Sequence, residues 1–177
     1  MKVGATGWLS GVRRIASPNC DARPPGTAIA LLVIHNISLP PGEFGGEAIA
    51  QLFTNTLDTE THPYYAQLQG VRVSAHFLIR RNGEIVQFVP CSKRAWHAGV
   101  SLWQGRSGCN DFSIGAELEG SDYVPFNDRQ YAALVRLTRL LQRTYPIRAI
   151  VGHADIAPGR KTDPGPCFDW PRYFATL

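Results

Sequence analysis

The chain has 177 residues, which suits one domain able to bury roughly 70% of its unfolded surface without disulfide staples. Hydrophobic residues make up 44% and charged residues 18%, an ordinary globular balance, and 17 glycines with 13 prolines point to long shaped loops rather than disorder. A net charge of +4 and a pI near 9.0 favour anionic ligands, but the absence of any basic run or heptad excludes a nucleic-acid partner.

No stretch approaches the roughly 20 apolar residues of a membrane span, so no membrane partner is expected. Residues 1–28 hold no apolar core of signal-peptide length. The expectation is a cytoplasmic protein. Cys20, Cys91, Cys109 and Cys167 lie far apart and form no CxxC pair, so they are expected as free thiols in a reducing compartment.

Residues 1–28 carry Pro18, Pro24, Pro25 and Gly26 with little periodicity and read as an extended N-terminal wrap. Ala28 to Ile37 is a near-continuous apolar run rich in β-branched residues, the pattern of a central strand covered on both faces. His35 lies at its end, before the loop Pro40 to Gly46. Such a residue can be a core histidine bonded to backbone. Its place at a strand end beside a glycine-rich loop also suits a binding site. Glu47 to Leu57 has apolar residues at helical spacing, and His62 reads as a solvated loop residue.

Val73 to Arg80 and Glu84 to Val89 flank Arg81-Asn82-Gly83, and Asn-Gly between two alternating runs predicts a hairpin. His76, inside the first of these strands, reads as a packed, hydrogen-bonded histidine. Trp96-His97 before Gly99 fits either a wall of a ligand groove or a structural corner. The polar loop Ser101 to Asn110 offers Arg106 as an anion contact. Asp111 to Glu119 alternates, with Phe112, Ile114, Ala116 and Leu118 on one face and Glu117 and Glu119 on the other. On a covered face a glutamate needs a partner or a task. On an edge strand both would be ordinary solvated side chains.

Asn127 followed by Gln130 is a capping-box pattern, and the apolar positions that follow mark one face of a long helix ending before Pro146. Ile147 to Val151 predicts a buried strand. The loop after it, Gly152 to Pro166, holds His153, Lys161 and Asp163 within eleven residues and is stiffened by proline. Phe168 to Arg172 starts a short C-terminal helix. With no repeat and no linker, the expected fold is a single α/β domain over 1–177, with a mixed central β-sheet flanked by α-helices.

His35, His153 and Asp163 form a candidate metal set. Two neutral imidazoles and one carboxylate suit zinc with a fourth position left to water. Spacing alone is a weak signal, because five histidines allow several other trios. A hydrolytic zinc needs a general base, for which Glu117 is the candidate, and a cation for the developing oxyanion, for which Lys161 is the candidate.

The segments LLVIHNISLPPGEFGG (31–46), RVSAHFLIRRNGEIVQFVP (72–90), RAWHAGVSLWQGR (94–106), CNDFSIGAELEG (109–120) and GHADIAPGRKTDPGPCFDW (152–170) resemble the cytoplasmic AmpD-type N-acetylmuramyl-L-alanine amidases of cell-wall recycling, within the type-2 amidase and peptidoglycan-recognition superfamily. The resemblance covers nearly the whole chain. It implies one zinc ion held by His35, His153 and Asp163, with Glu117 and Lys161 as catalytic helpers. It implies hydrolysis of the amide between 1,6-anhydro-N-acetylmuramic acid and L-alanine of a muropeptide. It also implies that Asn36, Arg72, Trp96 and the Ala154 segment line the groove. A monomer is the expected assembly. The chain departs from the family at Gly108, where relatives often carry an arginine, which puts the anion contact there in question and leaves open whether Arg106 replaces it. It departs again at Gly159, where relatives often carry a glutamate. A non-catalytic muropeptide-recognition module is the competing reading, but members of that kind have typically lost a metal ligand. A structural zinc protein would need a fourth ligand that the sequence does not offer.

Overall fold

The computed structural model describes residues 1–177. In chain order the strands are β1 (Arg13–Arg14), β2 (Cys20–Ala22), β3 (Leu31–Ile37), β4 (Phe77–Ile79), β5 (Ile85–Gln87), β6 (Lys93–Ala95), β7 (Leu102–Trp103), β8 (Arg106–Ser107), β9 (Ser113–Glu119) and β10 (Ala149–Gly152). The α-helices are α1 (Ala48–Thr54), α2 (Asp128–Thr144), α3 (His153–Ile156) and α4 (Trp170–Ala175). Single 3₁₀ turns cover Pro63–Leu68 and Cys109–Asp111.

Six strands form one sheet in the order β1-β5-β4-β9-β3-β10. Only the β4–β5 pair is antiparallel, closed by the Asn82-Gly83 turn. β9 lies at the centre between β4 and β3, and every residue of β9 is buried. Glu117 and Glu119 therefore sit on a covered face, not on a solvated edge. The hairpin strands are shorter than the alternation predicts, because residues 71–76 run up to β4 as irregular chain. Residues 1–28 do wrap the domain, adding β1 to the sheet edge and pairing β2 with β6.

The two faces of the sheet have different covers. Leu32, Ile34, Ile114, Ala116 and Leu118 point to α2 and to Phe168 and Tyr173, forming the largest apolar cluster. The capping box at Asn127 and Gln130 starts α2 as expected, and buried Gln130 also donates from Nε2 to the Glu119 carbonyl. The opposite face is divided. Leu78, Val86 and Phe88 pack against α1, while Leu31, Val33 and Val151 pack against Ile156, Ala98 and Phe112. Between these two smaller clusters the central strands carry polar residues, and a cavity opens there. All four cysteines are free thiols. No helix is long and apolar enough to cross a membrane.

Candidate active site

Strand register brings the chemistry together. In the parallel pairing of β10 with β3, Gly152 lies opposite Ile34, so the next residues, His153 and His35, leave adjacent strand ends side by side. On the other flank of β3, His35 lies opposite Glu117 of β9. Three polar side chains thus stand in a row across three neighbouring parallel strands, at their C-terminal ends, where ligands of open α/β sheets collect. Gly152 is tied to this arrangement: a Cβ there would lie 2.7 Å from Pro164 Cδ, in the loop that returns Asp163 to the same point. The Ala154 N–H donates to the Asp163 carbonyl at 2.9 Å and fixes that return.

His35 Nδ1, His153 Nδ1 and Asp163 Oδ2 form a triangle with sides of 3.0, 2.9 and 3.1 Å. His35 and His153 are buried and Asp163 half-buried. Three such contacts cannot all be hydrogen bonds. His153 Nε2 faces the Ala98 carbonyl at 3.1 Å, an acceptor only, so that nitrogen carries the proton of the neutral ring. His153 Nδ1 is then a bare lone pair turned toward a carboxylate oxygen. Burial alone would raise the Asp163 carboxyl; only N–H donation or positive charge on the imidazole side, the place a cation would take, brings it below the ordinary carboxylate range. An anion and aromatic lone pairs converging on one point fit a cation. Tetrahedral bonds of about 2.0–2.1 Å imply ligand separations of roughly 3.3 Å, close to those seen.

A cavity of about 660 Å³ lies over this triangle, lined among others by Asn36, Tyr64, Trp96, Glu117, Tyr123, Arg160 and Lys161. Glu117 is 9% exposed, and its Oε2 has no hydrogen-bond partner. Burial pushes its carboxyl well above the usual range; the Asp163 anion adds to that shift and the Lys161 ammonium opposes it. Lys161 is exposed on the rim, on the loop that carries Asp163.

The other sequence candidates divide. Trp96 and Asn36 line the cavity. Asn36 Nδ2 donates to Asp122 Oδ1 at 2.7 Å and to the Pro164 carbonyl at 3.0 Å, so its amide also braces the loops. Arg72 instead borders a separate, smaller cavity with Leu52, Asn55 and Leu68. Arg106 stacks its guanidinium on Phe112, 4.0 Å from the ring centre, and is not among the residues lining the main cavity; nor is Ala154. Gly108 and Gly159 have φ of +70° and +74°, left-handed backbone that glycine adopts freely, a local reason for both departures from the family pattern.

Histidine reading from sequence was partly right and partly incomplete. His76 is packed as expected: its Nδ1 accepts from the Gly115 N–H at 3.0 Å. His62 caps the 3₁₀ turn at Pro63 by accepting from the Tyr64 N–H rather than simply facing solvent. Sequence reasoning also missed Arg160, which donates to the Ala98 and Val100 carbonyls and ties the 98–100 loop to the Asp163 loop. Its position beside Lys161 was the available signal. Asp122 was missed too, and nothing local marks it.

Comparisons with known proteins give the chain its family. A sequence profile of the N-acetylmuramoyl-L-alanine amidase family matches residues 25–166. The chain is 60% identical over 169 residues to the 1,6-anhydro-N-acetylmuramyl-L-alanine amidase AmpD of Escherichia coli K12, covering 94% of this chain and 92% of that protein. A crystal structure of a Se-Met AmpD derivative superposes with a TM-score of 0.95 at 58% identity, covering 97% of each chain. The amidase AmiD from E. coli, in complex with the substrate anhydro-N-acetylmuramic acid-L-Ala-D-γ-Glu-L-Lys, gives a TM-score of 0.60 at 36% identity over 84% of this chain and 57% of that one. With the profile spanning most of its length and near-full-length relatives at this identity, the chain belongs to the N-acetylmuramoyl-L-alanine amidase family.

Proposed function

We propose that the chain is a zinc-dependent 1,6-anhydro-N-acetylmuramyl-L-alanine amidase that cleaves recycled muropeptides between the lactyl carbonyl and the L-alanine nitrogen. The observation that carries this is the closed triangle of His35 Nδ1, His153 Nδ1 and Asp163 Oδ2 beneath the cavity that also receives unpartnered Glu117. Two imidazoles and one carboxylate, with no cysteine near, are a donor set of catalytic rather than structural zinc. When bound, the metal supplies Lewis acidity to the attacking water and to the amide carbonyl.

The chain's own residues do the rest. Glu117 takes a proton from the attacking water and passes it to the departing alanine nitrogen as the C–N bond breaks and the new C–O bond forms. Its buried, partner-free oxygen and elevated proton affinity suit a group that must both accept and return a proton. Lys161 places its ammonium beside the carbonyl oxygen as negative charge develops there. Trp96 gives the groove an apolar wall, and Asn36 fixes the loops that shape it.

The whole of 1–177 acts as one amidase domain. We take it to work as a monomer, in which His35, His153 and Asp163 of one chain suffice to form the metal site. The free thiols suit the cytoplasm.

The test is release of the stem peptide from an anhydromuramyl-tripeptide, before and after complete removal of metal and again after zinc is restored. We expect turnover to vanish with the metal and return with zinc, and Asp163→Ala to retain less than one equivalent of zinc by elemental analysis. Turnover in the stripped protein rejects the zinc reading. Muropeptide binding without turnover in the zinc-loaded protein would instead make it a recognition module.

A further inference from the structure

The His97–Ala98 corner touches both imidazoles of the proposed metal site from behind. The Ala98 carbonyl faces His153 Nε2 at 3.1 Å, and His97 Nδ1 faces His35 Nε2 at 2.9 Å. Asn110 braces the corner from its N–H side: its Oδ1 accepts from the His97 N–H at 3.1 Å and the Ala98 N–H at 2.8 Å. The carbonyl decides the tautomer of His153 directly. For His35 the partner is another imidazole, which can donate or accept, so something beyond it must decide.

That deciding group is Ser113. Its hydroxyl lies 2.6 Å from the Cys109 carbonyl, which only accepts, so the hydroxyl proton points there. The same oxygen is 3.0 Å from His97 Nε2 and must accept from it. A neutral His97 with its proton on Nε2 has a bare Nδ1, which can only accept from His35. His35 then carries its proton on Nε2 and turns a bare Nδ1 toward His153 and Asp163. Every proton along the row runs one way, ending at a carbonyl that cannot reverse it. Packing enforces the row as well: a Cβ at position 115 would overlap the His97 ring, so glycine in the middle of β9 is what lets the imidazole lie against the strand.

We propose that His97 is a positioning residue whose hydrogen bonds to Ser113 and His35 lock His35 in its metal-binding tautomer. The proposal rests on His35 being a metal ligand. In the metal-free wild-type protein, ¹⁵N NMR of the imidazoles should show the His35 proton on Nε2 and that of His97 also on Nε2. A His35 proton on Nδ1 overturns the proposal, whatever the metal reading.

The second arm measures zinc affinity against a chromogenic chelator. Wild-type protein that binds no zinc defeats the metal-site reading itself. Given wild-type binding, His97→Phe keeps a ring but removes the acceptor, and zinc affinity should fall about 10–100-fold, the usual effect of losing such a partner. His97→Gln, whose amide oxygen can accept from His35 Nε2, should recover part of that loss. Ser113→Ala frees the His97 tautomer without touching either ligand and should weaken zinc by a smaller factor, while the ¹⁵N spectrum shows mixed His97 tautomers. A folded His97→Phe protein with wild-type zinc affinity overturns the proposal; if that variant does not fold, Ser113→Ala with a wild-type spectrum and affinity does.

Discussion

Glu117 and Glu119 sit two residues apart on the same strand, point to the same face and are both buried, yet their surroundings differ in kind. Around Glu119 every oxygen is used. Oε1 accepts from the Gly45 N–H at 2.7 Å, Oε2 from the Arg81 N–H at 2.9 Å, and the Arg80 guanidinium lies 3.8 Å away. Arg80 in turn donates to the Gly46 carbonyl and reaches Glu47 and Glu84. Glu119 thus pins the 42–47 loop and the hairpin to the sheet. Around Glu117 the cavity is open and one oxygen meets nothing. A buried carboxylate without partners is unfavourable for folding, and a natural chain tolerates one where its reactivity is used. The pair separates a group that holds the fold from a group that acts.

The largest effect should come from breaking the second of these. Glu117→Gln keeps the shape and removes the proton acceptor, and turnover should fall about 10²–10⁴-fold. The same variant should bind zinc normally and, stripped of metal, should melt no lower than wild type, because a neutral amide replaces an unpaired acid. A clear loss of stability alongside turnover would place Glu117 in the same class as Glu119.

Glu119→Ala should show the reverse. It strips Arg80 of a buried counter-charge and leaves two N–H donors unsatisfied, a loss of about 3–5 kcal/mol in denaturant unfolding. Zinc binding should survive in whatever protein remains folded. Unchanged unfolding would mean that the Arg80 bonds to Glu47 and Gly46 suffice to hold the loop.

Lys161 tests whether the acting group has company. It is exposed, so Lys161→Ala should leave unfolding unchanged, yet turnover should fall about 10²–10³-fold with little change in KM. A raised KM at constant kcat would make Lys161 a substrate anchor.

This contrast was only half visible in the sequence. Alternation in Asp111 to Glu119 put both glutamates on one face, but whether that face was covered depended on which strands flank β9, a long-range fact. The apolar run before His35 marked β3 as central because burial on both faces leaves a local trace. The capping box of α2 and the Asn82-Gly83 turn were legible for the same reason: their chemistry is complete within four residues. The meeting of His35 with His153 was not. It follows from the parallel register of β3 and β10, which no periodicity encodes; spacing offered the trio only as one weak candidate among several, and the family motifs singled it out. The roles of Ser113, Gly115 and Asn110 behind His97 were hidden likewise, since each looks like an ordinary strand or turn residue until the corner is folded against them.

His76 extends the comparison to a buried base. Like Glu119 it is fully engaged: Nδ1 accepts from Gly115, and the Nε2 proton points to the Lys93 carbonyl at 3.1 Å. Burial, with help from the nearby Arg23 cation, lowers its pKa to about 3. An unfolded histidine takes its proton near 6.5. As pH falls below that value the unfolded chain binds a proton that the folded chain refuses, so the stability tied to His76 is complete above about pH 6.5 and drains away toward pH 3, at about 1.4 kcal/mol per unit. His76→Gln, whose amide can accept from Gly115 and donate to Lys93, cannot take up that proton. Urea unfolding of the metal-free protein between about pH 4.5 and 6 should therefore show a slope against pH shallower by nearly one proton in the variant. His35 and His97, also depressed by burial, contribute equally to both proteins and cancel in the difference. Parallel slopes would show that His76 already takes up its proton in the folded state, and that a fully bonded buried site on this sheet face need not refuse charge.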